Sequence, residues 1–258
     1  MLSLFAPLTL RSALNPDHPD PNFVASTKPK YRSYSFSIRS LLLLMTVVGI
    51  GLAWKMNRVR KLRVAVAEVE QLGGDISYVH ELSSTTSEPP GPKWFRSVLG
   101  EDFFAEVNQI NLRSERTDDE TCAMIAQLPR IDSLIIKSDR VTDRGLADIA
   151  AANSLVALEI RSANVTASGL ASLQRLQNLG SLVLSRNNSD TDAWLSALRS
   201  LNQVRNLYLD DTDTTDAGLL KLESCVWLEF VDLTGAEVTK QGVQRLRKSL
   251  PDCKVSFR

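Results

Sequence analysis

Several kinds of chemistry are missing from this chain. Its 258 residues include three cysteines and two histidines. Cys122, Cys225 and Cys253 are too few and too scattered for a disulfide framework. His18 and His80 lie far from each other and from every cysteine, so no zinc-ligand spacing can be drawn through the five residues. The formal net charge is zero, and there is no basic excess that would suit nucleic acid. No G-x-S-x-G, Walker A, G-x-G-x-x-G or H-E-x-x-H pattern occurs. No catalytic, cofactor-binding or metal-ligating residue is therefore assigned, the chain is expected not to be an enzyme, and a small-molecule substrate is not expected.

A long apolar run is present near the start. Residues 34–54 read YSFSIRSLLLLMTVVGIGLAW, about the 20 residues that a membrane helix needs. Arg39 lies near one end, where its head can reach the interface. Tyr34, Phe36 and Trp54 stand at the edges, as interfacial aromatics do. A core helix would show a polar face, and 41–54 has none. A cleaved signal would start closer to the N-terminus and be followed by an A-x-A site. The expectation is a single-pass span over 34–54. Lys28, Lys30, Arg32 and Arg39 precede it; Lys55, Arg58, Arg60, Lys61 and Arg63 come after it, a balance that sets no orientation.

Four segments are expected. Residues 1–33, rich in proline, read as a flexible tail. After the span, 55–106 form a stalk helix and an N-terminal capping segment for a repeat array. In RVRKLRVAVAEVEQL the apolar residues Val59, Leu62, Val66, Val69 and Leu72 have helical spacing, read as a solvated stalk without a partner. GGDISY ends that helix and starts a short strand, and SSTTSEPPGP is a loop by composition. The cluster Trp94, Phe95, Val98, Leu99, Phe103, Phe104 and Val107 would cover the open end of the array, which 107–258 provide.

The pattern L-x-x-L-x-L starts at Val107, Ile131, Leu155, Leu179, Val204 and Leu228, every 24 or 25 residues. A phrase close to V-T-D-x-G-L-x-x-L comes after it, as in VTDRGLADI, VTASGLASL and the TTDAGLLKL of 214–222. Each unit reads as a strand, a turn and a returning helix. One unit cannot bury its apolar face alone, so the expected fold is an α/β solenoid. Thr142, Thr166, Thr215 and Thr239, with the carboxylates of Asp143 and Asp216, are expected to cap the helices they precede or open. Recurrence of the Thr-Asp pair points to structure rather than to metal ligation. Gly145, Gly169, Gly218 and Gly242 recur where a side chain would crowd the next coil. The first unit departs with Thr121 and Cys122, the fourth with an extra residue and Trp194 in place of glycine.

These units resemble leucine-rich repeats in the bacterial, cysteine-containing style, in which TDxGL opens the helix. With FSIRSLLLLMTVVGIGLAW, the basic stalk and QLGGDISY ahead of them, the arrangement is similar to the membrane-anchored leucine-rich-repeat proteins abundant in Planctomycetes. That resemblance implies a curved solenoid that binds protein and has no catalytic residues to carry over. The concave face would carry Arg113, Lys137 and Arg161 as a basic ladder beside Glu159. Tyr208 and Phe230 would be neighbouring aromatics near Asp210 and Asp232. These eight residues are the expected protein-binding surface of a membrane-tethered scaffold. Two alternatives remain: a substrate-recognition adaptor of the ubiquitin-ligase-receptor type, and an envelope protein without a discrete ligand.

Overall fold

The computed structural model describes residues 37–82, 93–99, 103, 106–186 and 191–258. The expected tail at 1–33, the first residues of the expected span, the loop at 83–92, Phe104 and the extra residue of the fourth unit lie outside the described residues, as do the side chains of His80, Phe95, Val98 and Leu99.

The chain divides into two units, Met1–Thr46 and Val47–Arg258. Within the first, the described part is the opening of helix α1 (Ile38–Gln71). Leu41 N–H donates to Ser37 O at 3.1 Å, and the Thr46 hydroxyl donates to Leu43 O at 2.8 Å, so this polar group is satisfied inside its own helix. Helix α1 is long and apolar enough to cross a membrane, and its most apolar 18-residue window is not buried at all.

In the second unit the latter part of α1 is not a bare stalk. Val59, Leu62, Ala65 and Val69 are buried, and the last three belong to the same apolar cluster as Val107, Ile110 and Leu112 of the first repeat. The expectation of a solvated helix is corrected here. An apolar stripe at i, i+3 and i+7 is costly in water, and the uncovered end of a repeat stack supplies its partner. Gly73, at φ +72°, ends the helix in a left-handed turn. Strand β1 (Asp75–Tyr78) then lies antiparallel against the strand at Val107–Leu112, with short helices α2 (Val79–Leu82) and α3 (Lys93–Leu99) after it in sequence.

Six repeats come next. Their strands are β2 (Val107–Leu112), β3 (Ser133–Lys137), β4 (Ala157–Arg161), β5 (Ser181–Val183), β6 (Asn206–Tyr208) and β7 (Phe230–Asp232). Their helices are α4 (Asp119–Ile125), α5 (Asp143–Ile149), α6 (Ala167–Ser172), α7 (Thr191–Ala197), α8 (Asp216–Leu222) and α9 (Lys240–Ser249). A last strand, β8 (Lys254–Ser256), completes one eight-stranded sheet in sequence order. Only β1 is antiparallel, paired with β2; every later pair is parallel. Parallel neighbours need a crossover, and each helix is one. Every position of the six strand triplets is buried, as are Leu146, Leu170, Leu195, Leu219 and Val243 on the helices. The result is an α/β solenoid of leucine-rich repeats.

The helix starts hold the units to one another. The hydroxyls of Thr142, Thr166, Thr215 and Thr239 cap their own helices, accepting from Arg144, Ser168, Ala217 and Gly242 N–H at 3.1–3.2 Å. The aspartates do something else. Asp119 accepts from the N–H and hydroxyl of Thr142, one unit on, at 2.8 and 2.7 Å. Asp143 does the same to Thr166, Asp192 to Thr215 and Asp216 to Thr239. The expected capping of their own helices by Asp143 and Asp216 is therefore corrected: these carboxylates reach the following helix. The geometry also accounts for the glycines. A Cβ on Gly145 would lie 2.5 Å from Asp119 Oδ1, and one on Gly169, Gly218 or Gly242 would collide with Asp143, Asp192 or Asp216.

One seam lacks this stitch. Unit three has Ala167 where units one, two, four and five have aspartate, and unit four has Trp194 where units two, three, five and six have glycine. Trp194 is only 2% exposed, and its indole N–H donates to Val165 O at 3.1 Å. Thr191, which would have met the missing carboxylate, keeps a buried hydroxyl with no partner among the described residues. The turns after the strands change at the same seam. Ser138 and Ser162 donate to the carbonyls of Thr117 and Val141, in the preceding coil, at 2.6 and 2.7 Å. Units four to six instead place Arg186, Asp211 and Gly235 at positive φ.

One stitch and one helix cap titrate. Hydrogen bonds from the Thr239 hydroxyl and N–H hold the Asp216 carboxyl below its usual 3.8, and the Thr121 N–H does most to lower Asp118. A carboxyl whose folded pKa is depressed stabilises fully above its unfolded value, and that contribution disappears as pH falls through the folded value. Thr239→Val is expected to lower stability by about 1 kcal/mol at neutral pH. The gap to the parent should narrow below the usual carboxylate range, leaving the part due to the lost cap on Gly242 N–H, as read by urea unfolding across an acid series. A gap that stays constant in acid would contradict the assignment.

Candidate functional site

Alternate residues of each strand point away from the helices, and the ladder register aligns them in columns. Gln109, Ser133, Ala157, Ser181, Asn206 and Phe230 form one; Asn111, Ile135, Glu159, Val183, Tyr208 and Asp232 form the next. These residues stand on short parallel strands because every second position is committed to the core.

At the early end Arg113 is exposed, and its Nε donates to Asn111 Oδ1 at 3.0 Å. Lys137 pairs with Glu159 at 2.7 Å, diagonally across β3 and β4, where its ladder partner is Arg161. Arg161 is exposed next to Lys137. The three cations do lie side by side, but Glu159 neutralises the middle one, so the early end is less basic than the column of letters suggests.

At the late end Tyr208 and Phe230 are half-buried, with ring centroids 5.4 Å apart and planes tilted by 52°. That spacing is in the favourable range for an aromatic pair. Asp232 is the ladder partner of Tyr208, and its carboxylate accepts from the N–H and hydroxyl of Thr234 at 3.0 and 2.7 Å. Asp210 accepts from the Ser185 hydroxyl. Both carboxylates are thus held in fixed directions beside an aromatic platform.

The strands at the two ends of the sheet extend this face beyond the eight expected residues. Asp75 and Ser77 of β1 align with Asn111 and Gln109; Lys254 and Ser256 of β8 align with Phe230 and Asp232. The alternation in DISY and KVSF was the available signal. Lys254 places a cation immediately beside the aromatic pair.

Other chemistry has little to stand on. The three thiols are free and buried, and burial is the main cause that pushes Cys122 up to about 12 and raises Cys225 and Cys253. Such thiols are poor nucleophiles. Among the described residues, no three metal-ligating side chains gather at one point. The Asp119, Asp143, Asp192 and Asp216 carboxylates are committed to threonines.

No family model matches the chain. No curated protein matches it either. Solved structures of similar repeat proteins do. An internalin from Listeria monocytogenes str. 4b F2365 is 18% identical over 58% of this chain, with a TM-score of 0.37. This chain spans about half of that protein, 47% of its length. An internalin C2 from the same organism is 16% identical over 61% of this chain and 86% of its own, with a TM-score of 0.35. The repeat architecture rests on the register and packing described above.

Proposed function

We propose that the chain is a membrane-tethered, non-enzymatic binding module that engages a protein partner through the concave strand face of its repeats. The observation that carries this reading is the Tyr208–Phe230 pair at 5.4 Å, set between the oriented carboxylates of Asp210 and Asp232. Aromatic side chains backed by rigid strands and ringed by charge are what binding hot spots are made of. Arg113, Lys137, Glu159 and Arg161 would form the polar flank of the same contact. The tether would be the apolar part of α1, from Ile38 through Trp54.

Proximity labelling in the native cell tests both parts. The parent chain is expected to label a reproducible set of neighbours and to resist carbonate extraction. Tyr208→Ala with Phe230→Ala should reduce labelling of a direct partner by at least about thirtyfold, because two central aromatics contribute about 2 kcal/mol or more. The melting temperature should change little, since neither ring belongs to the core cluster. An unchanged set of neighbours would remove the aromatic pair from the interface.

A further inference from the structure

The charges of the concave face change sign along the stack. The row that follows the last core residue of each strand reads Arg113, Lys137, Arg161, Ser185, Asp210 and Thr234. Lys137 is neutralised by Glu159. Arg161 is exposed and has no carboxylate within ion-pair reach among the described residues. Ser185 donates to Oδ1 of Asp210, and both Thr234 bonds reach Oδ1 of Asp232. The Oδ2 atoms of the two aspartates have no partner among the described residues. Tyr208 stands between them, two residues before Asp210 in sequence and the ladder partner of Asp232. The outermost strands carry the opposite signs, Asp75 in β1 and Lys254 in β8. The uncompensated contrast is therefore in the middle of the face, between Arg161 and the Asp210–Asp232 pair.

Arg161 and Asp210 are two strand spacings apart, about 10 Å. A ligand charged with one sign throughout, such as a nucleic acid or an anionic bilayer, meets repulsion at one of these ends. A ligand that carries both signs in the matching order is attracted at both. The Tyr208 ring adds a face that attracts a guanidinium or an ammonium, while the free carboxylate oxygens accept its N–H groups. We propose that the partner presents a polypeptide segment with an acidic and a basic side chain about 10 Å apart. The acid pairs with Arg161; the base, an arginine or a lysine, is held at Tyr208 between Asp210 and Asp232. This rests on the concave-face reading above and names the chemistry of its partner.

The test uses the full chain in detergent and a library of random peptides displayed on phage. Enriched peptides are synthesised, and their affinities are measured by fluorescence anisotropy. They are expected to carry one acidic and one basic residue at a constant spacing. Arg161→Glu and Asp210→Lys should each weaken binding about tenfold or more, because each sets like charges against one another. Arg144→Gln, exposed on α5, should leave it unchanged. A peptide with its two charges exchanged should bind the parent poorly and recover on the Arg161→Glu/Asp210→Lys double variant. Equal binding of the original and exchanged peptides to the parent, or a library that yields no peptide dependent on Arg161 and Asp210, would overturn the pairing. If Tyr208→Ala still weakens the peptides obtained, the concave site survives and only its chemistry is wrong. If neither Tyr208→Ala nor either charge variant matters, the binding face falls as well. A dimer of the parent in detergent that Arg161→Glu dissolves would make the occupant a second copy of this chain and overturn the proposal too.

Discussion

Trp194→Gly is expected to destabilise the repeat domain by about 3–5 kcal/mol, the usual range for emptying a buried tryptophan site. The residue is 2% exposed, and its indole N–H bond to Val165 O would be lost as well. Ala167→Asp alone should also destabilise. At the other seams the aspartate oxygen fills the space that a Cβ would need, and Trp194 has a Cβ. Together the two changes rebuild the stitch found at the other seams. Asp at 167 would meet glycine at 194 and accept from the Thr191 hydroxyl, which has no partner among the described residues. The double variant should therefore be more stable than the sum of the singles by about 1–3 kcal/mol. Urea unfolding of the four proteins closes the cycle. Additive effects would show that the exchange of Asp/Gly for Ala/Trp is coincidence.

Val69→Asp should cost about 3–5 kcal/mol, because an unpaired carboxylate would replace a side chain that is 0% exposed. The location of the damage matters more than its size. Repeat stacks are held by nearest-neighbour contacts, so loss at one end propagates inward only as far as those contacts fail. Hydrogen exchange on the full chain in detergent should show faster exchange in β2, α4 and β3, while β6, α8 and β7 keep their protection. Uniform loss over all six units would mean that α1 holds the whole domain; no loss would mean that it holds none of it.

Much of this was legible in the letters, because a repeat multiplies a weak signal. The strand triplets, the threonine caps and the columns of the exposed face all arise from period and alternation, and every core position falls where the period puts it. The partners of side chains were harder to read. Val59, Leu62 and Val69 announce an apolar stripe, but a stripe does not name the surface that covers it. Asp143 and Asp216 look like caps for their own helices because capping is local; their real partners lie 23 residues away in sequence. The clue was present all the same. Aspartate occurs in units one, two, four and five, and glycine in two, three, five and six. On the candidate face, sequence placed Glu159 near Lys137 but could not show that the two are joined, which weakens the basic ladder.

The one-unit offset between aspartate and glycine restricts how this gene segment can lose modules. Removing unit three alone would set Asp143 against Trp194, and removing unit four alone would leave Gly218 facing Ala167. Excising both brings Asp143 to Gly218, a pairing already compatible. The pair formed by units three and four is thus the smallest cassette across that boundary that can be deleted cleanly, and a shortened descendant of this chain should lack both or neither.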